Sequence, residues 1–93
     1  MVEKAVKVVI SGRVQGVSYR AWTMDAARAL GLNGWVRNRK DGTVEALFTG
    51  SNESVDEMVV RCHQGPPSAI VESVNVTDAI GITDAGFKTL PTV

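Results

Sequence analysis

Two short stretches hold the residues able to do chemistry. The first, GRVQGVSYR at residues 12–20, sets two glycines, an amide side chain and two arginines between an apolar run and a helix-like segment. A loop that delivers the chain to a helix start leaves backbone N–H groups without intrahelical partners, beside the positive end of the helix dipole. Such a place suits an anion. Gly16 removes a Cβ where the backbone must turn sharply or approach a ligand. The loop from Val14 through Gln15, Gly16, Val17 and Ser18 to Tyr19 is therefore a candidate to curl its amides around one tetrahedral phosphate. Arg20 falls in the first helical turn, where a fixed cation is unfavourable against the dipole unless something negative offsets it. Bound phosphate would do so, with the guanidinium fork making charge-assisted hydrogen bonds. The competing reading of this stretch alone is a surface arginine after an ordinary strand-to-helix turn. The stretch is neither a Walker loop, which needs GxxxxGK[ST], nor the dinucleotide pattern GxGxxG. Arg13 lies in the same loop, and the sequence leaves its contact with a ligand open.

The second stretch is GWVRNRKDGTVE, residues 34–45. Together the two closely resemble the acylphosphatase family, whose signatures are a GxVQGVxFR-like loop and a GWVxNxxDGxVE-like hairpin. The similarity extends to the chain length, the element order and the GPPSAIVESV run at residues 65–74. The resemblance implies that Arg20 and Asn38 are the catalytic pair and that the reaction is hydrolysis of a carboxylic-phosphoric anhydride to carboxylate and inorganic phosphate. Acetyl phosphate, carbamoyl phosphate and 1,3-bisphosphoglycerate are the kinds of substrate it implies. The chain departs from the pattern at Tyr19, where the family often has Phe, and in its ending GFKTLPTV, where Pro91 discourages further strand pairing.

The residue inventory suits that chemistry. A carboxylate leaving group is the conjugate base of an acid of pKa roughly 4 to 5, so it departs at neutral pH without a general acid. What the protein must supply is positioning and electrostatics around the phosphoryl group. In the scheme the resemblance implies, Arg20 and the loop amides hold the phosphoryl oxygens and the Asn38 carboxamide orients the attacking water. Asn donates and accepts without adding a negative charge. No metal ion or other cofactor is expected: the arginine and backbone dipoles offset the phosphate charge, and no His, Cys or carboxylate cluster stands at ligand spacing.

Residues 5–11, AVKVVIS, place Val6, Val8 and Ile10 on one parity and read as a strand that Gly12 ends. From Tyr19 to Leu30 a helical face runs through Trp22, Ala26 and Ala29, with Gly31 where a left-handed closing residue is wanted. Residues 34–50 form two strands about a Lys40-Asp41-Gly42 turn. Ser51 or Asn52 caps a second helix with Val55, Met58, Val59 and Cys62 on its apolar face, stopped by Gly65-Pro66-Pro67. Residues 70–79 give another strand and 87–90 a short last one. The order β-α-β-β-α-β predicts an α+β, ferredoxin-like sandwich: an antiparallel sheet with both helices on one face and a possible short fifth strand.

With 93 residues, 44% hydrophobic and 22% charged, the expectation is one globular domain over residues 1–93. Net charge is zero, but residues 1–46 hold eight Lys/Arg against four Asp/Glu and residues 47–93 two against six, a polarity compatible with an anion site in the front half. A lone cysteine, Cys62, and no signal-like apolar run lead to an expectation of a cytoplasmic protein with no membrane partner. RNA binding through the open sheet face is disfavoured by the lack of an RNP-like aromatic run, so no nucleic-acid partner is expected. Cys62 reads as a core cysteine, His63 as a surface residue, Trp22 and Trp35 as packing residues, Arg37 and Arg39 as a coat on the open side of the sheet, Asp41 as a turn residue and Glu45 as a solvated strand charge. The expected partners are a small acyl phosphate and inorganic phosphate as product and inhibitor, with the protein a monomer. The alternative function is a non-catalytic ferredoxin-like module that binds phosphate or a phosphorylated partner with the same cradle.

Overall fold

The computed structural model describes residues 3–80 and 85–93. The chain runs β1 (Glu3–Arg13), α1 (Tyr19–Ala29), β2 (Asn33–Asn38), β3 (Val44–Ser51), α2 (Asn52–Cys62), β4 (Ile70–Asp78) and β5 (Phe87–Thr89). The strands lie in the order β4-β1-β3-β2-β5. β3 pairs antiparallel with both β1 and β2, and β1 antiparallel with β4. Hence β1 and β2 run the same way with β3 between them, and β3 and β4 run the same way with β1 between them. Two interlocked split βαβ units result, the ferredoxin-like arrangement.

Strand alternation sorts the side chains. Val6, Val8 and Ile10 of β1, Val36 of β2 and Val44, Ala46 and Phe48 of β3 are fully buried beneath the helices. Against them pack Tyr19, Ala26 and Ala27 of α1 and Val55, Met58 and Cys62 of α2. The spacing of these helical residues is that of one face of a 3.6-residue repeat, which is why the sequence pattern reveals them. Tyr19 Oη donates to the Cys62 carbonyl at 2.7 Å, so the hydroxyl that Tyr adds over Phe ties the first turn of α1 to the last turn of α2.

Several expectations are refined. Gly12 does not end β1: the strand continues to Arg13, and the pairing with β4 shifts register between Ser11 and Gly12. Gly12 has φ +119°, and a Cβ there would lie 2.2 Å from the Ile70 carbonyl oxygen, so the glycine permits a bulge that bends the strand toward the loop. The last strand is short and pairs in parallel with β2, which makes the sheet mixed. Pro91 does not detach the tail either, because Leu90 N donates to Val36 O at 2.9 Å, Val93 N to Asn38 O at 3.2 Å and Lys40 N to Val93 O at 2.7 Å. Glu45, read as solvated, is only 5% exposed. Arg37 bonds it at 2.7 Å and Lys7 lies 3.6 Å away, the two cations covering a carboxylate in the middle strand of the sheet. The Arg37 guanidinium also sits 4.7 Å from the centre of the Trp35 ring on the same open face.

Candidate active site

The turn that leads from β1 into α1 has an unusual backbone. Gly16 has φ +74° and Ser18 φ +64°, and Ser18 is the one non-glycine residue with positive φ among those described. Positive φ at Gly16 and Ser18 therefore alternates with negative φ at Gln15 and Val17. Alternation of this kind turns successive N–H groups toward one side and makes an anion-binding concavity. The concavity runs straight into α1, where Trp22 N is bonded to Ser18 O at 3.0 Å. The amides before Trp22 have no intrahelical acceptor. Ser18, the N-cap residue, makes no side-chain capping bond, and no acid lies in the first turn. Nothing within 4 Å would meet a Cβ on Gly16, which leaves the front of the loop open to a ligand.

Beside this turn is a hollow of about 500 Å³. Val14, Gly16, Ser18, Tyr19, Arg20 and Ala21 line it from the loop and first helical turn, Met24 from the next turn, Asn38 from the end of β2 and Thr89 from the end of β5. Arg20 and Asn38, eighteen positions apart in sequence, thus border one space. Arg20 supplies the only charge among the described lining residues. No carboxylate of the described residues pairs with its guanidinium, and the Asn38 carboxamide likewise has no partner there. Asn38 reaches the hollow because it has the parity of Val36 and faces the helices, whereas Arg37 faces the open side. The tail fixes this strand end through its bonds to Asn38 O and Lys40 N.

Two of the expected loop residues do not line the hollow. Val17 packs against the core cluster. Gln15 turns its side chain to the β2-β3 hairpin, where Nε2 donates to Arg39 O at 2.7 Å and Thr43 O at 2.8 Å. Neither side chain therefore borders the hollow. Conversely, Met24, Ala21 and Thr89 border the hollow although sequence reasoning singled out none of them for it. Met24 was discoverable, since a residue four positions after Arg20 shares its helical face. Thr89 carried no such signal, because its place depends on where β5 docks.

A family model described as Acylphosphatase matches residues 6–89. The chain belongs to the acylphosphatase family. An acylphosphatase of Rhodospirillum rubrum is 51% identical over 97% of this chain and 99% of its own length. Among solved structures, the acylphosphatase from Coxiella burnetii superposes with a TM-score of 0.91 at 33% identity, covering 95% of this chain and 93% of that one. That from Bacillus subtilis gives 0.87 at 31% identity, covering 92% and 97%. This acylphosphatase is accordingly a hydrolase of acyl phosphates, and the choice between enzyme and non-catalytic phosphate-binding module falls to the enzyme. No helix among the described residues is long and apolar enough to cross a membrane.

Elsewhere the tempting groups are structural. The buried Cys62 thiol is pushed up to about 12 by desolvation, far from a reactive thiolate. Asp41 accepts hydrogen bonds from Thr43 Oγ1 at 2.6 Å and Thr43 N at 3.0 Å, which hold its carboxyl below the usual range and fix the hairpin turn.

Proposed function

We propose that the amides of the Val14–Tyr19 loop and the Arg20 guanidinium hold the phosphoryl oxygens of an acyl phosphate while the Asn38 carboxamide directs the attacking water. The observation that carries this reading is the shared hollow, in which one unpaired guanidinium, one unpaired carboxamide and an uncapped helix start converge. The water oxygen bonds to phosphorus as the bridging P–O bond breaks. The acyl carboxylate leaves with the bond's electron pair, and the water proton passes to the nascent phosphate or solvent. The leaving group needs no protonation at neutral pH. Charge that builds on the phosphoryl oxygens meets fixed donors that need not reorganise.

The scheme routes no step through a metal or cofactor, and inorganic phosphate, the second product, competes with substrate for the same cradle. Residues 1–93 act as one domain, as a monomer in the cytoplasm, with no nucleic-acid or membrane partner in the reaction. Because the grip is on the phosphoryl end, acyl groups are read loosely and several acyl phosphates turn over.

Phosphate release from acetyl and benzoyl phosphate, with p-nitrophenyl phosphate as a phosphomonoester control, tests the reading. Folded Arg20→Ala and Asn38→Ala proteins are expected to lose most of the rate on the acyl phosphates, with wild type nearly inert on the monoester. Wild-type rates in either variant would remove that residue from the mechanism.

A further inference from the structure

We infer that Gln15 is a positioning residue that sets the separation of the phosphoryl grip from the water-directing asparagine. The inference rests on the roles proposed above for Arg20, the loop and Asn38. The sheet poses the problem: β1 leads into the loop and β2 carries Asn38, but β3 lies between them, so no backbone ladder joins the loop to the strand of Asn38. Gln15 spans that gap. Its Nε2 donates at 2.7 Å to the carbonyl of Arg39, the residue after Asn38. It also donates at 2.8 Å to the carbonyl of Thr43, the residue before Val44, which is the cross-strand partner of Asn38. Thr43 O already accepts from Arg39 N at 2.9 Å, so the carboxamide caps the hairpin rung next to Asn38.

The donor count separates this role from substrate binding. A primary carboxamide has two N–H donors, and both point at carbonyls. The oxygen that remains is an acceptor and cannot bond to an anionic phosphoryl oxygen. Both contacts are partly buried, and the preceding Val14 is anchored in the core, so the strut is stiff at each end. A group that fixes two halves of a reacting assembly acts on the rate through geometry, where an error of an ångström costs on the order of 100-fold.

The test is Gln15→Met, which keeps length and removes both donors, made alone and in an Asn38→Ala background. Gln15→Asn, which keeps the amide but is too short to reach, serves if the first variant melts below the assay temperature. Measured are kcat on benzoyl phosphate and the competitive inhibition constant of inorganic phosphate. We expect kcat to fall about 10- to 100-fold while phosphate inhibition changes less than about threefold, since the grip is intact and only its aim is lost. In the Asn38→Ala background the same substitution should change kcat by no more than about twofold, because the group it aims is gone. Equal losses in both backgrounds, or phosphate affinity falling in step with kcat, would overturn the inference in favour of general loop support. An Asn38→Ala enzyme with undiminished kcat would instead show that the role of Asn38 itself is wrong, and the positioning role of Gln15 falls with it.

Discussion

The two helices have the same length and lie on the same face of the sheet, yet they begin in opposite ways. α2 opens on Ser51 in extended conformation, whose hydroxyl accepts from Ser54 N at 3.2 Å, and carries Glu53 in its first turn. Its exposed donors and dipole are answered from within the chain. α1 opens on a left-handed Ser18 with no side-chain cap and no acid, and places Arg20 where positive charge is least welcome. A protein needing only two stable helices would have finished both ends alike. The difference teaches that the start of α1, unlike that of α2, is left unanswered by its own chain, which is what the proposed cradle for a small anion requires. A phosphoryl group is such an anion.

Substitutions at the two ends should break along this line. The largest effect is expected for Arg20→Ala, with a loss of roughly 10²–10³-fold in kcat/KM on benzoyl phosphate. Circular dichroism and melting should show a folded protein of equal or higher stability, since a cation leaves a helix N-terminus. A large drop in melting temperature would mean that Arg20 serves the fold. Next comes ligand stabilisation: inorganic phosphate at about 100 times its dissociation constant should add about 2.7 kcal/mol to the unfolding free energy of wild type. It should add almost nothing to Arg20→Ala. Equal shifts in the two would place the anion elsewhere, the start of α2 included.

The helices also meet where Tyr19 bonds the Cys62 carbonyl, and the burial of both residues there gives an alkaline signature. Burial raises the Cys62 thiol from 9.0 to about 12, and burial followed by the nearby Cys62 raises the Tyr19 phenol above its usual 10.0. Both groups stay protonated in the folded chain at a pH where the unfolded chain has lost the protons. Stability is therefore complete below pH 9 and declines between pH 9 and 12, by about 1.4 kcal/mol per pH unit for each group titrating only in the unfolded state. Urea unfolding from pH 8 to 11 checks this, and a flat profile would contradict it. The smallest effect sharpens the comparison most directly. Ser51→Ala should lower stability by about 1 kcal/mol and leave kcat unchanged. Ser18→Ala removes a hydroxyl that caps nothing, so it should cost less than Ser51→Ala in the same denaturation assay.

The sequence made much of this legible. Val6, Val8 and Ile10 announce a strand with one apolar face, and Val55, Met58 and Cys62 a helix, because each period is a property of a local backbone that repeats within a few residues. Arg20 was flagged locally, as a cation in the first turn of a helix, whereas Asn38 was singled out only through the resemblance of GWVRNRKDGTVE to the family's hairpin signature. The place of the Gln15 side chain was not legible, because its acceptors, Arg39 O and Thr43 O, lie more than twenty positions away across an intervening strand. Glu45 was taken for a solvated charge because nothing near it in sequence reveals that Lys7 will close over it from β1.

By itself, the sequence determined the elements, their order and the two starts of α1 and α2, since short-range sterics and side-chain alternation are encoded where they act, and its two motifs carried the family resemblance that singled out Arg20 and Asn38. The tertiary structure alone decided that Arg20 and Asn38 border one hollow, that β5 docks in parallel to bring Thr89 there, and that Gln15 braces the hairpin. Those outcomes depend on which faces of distant segments meet when the core closes, a condition satisfied by the whole chain together.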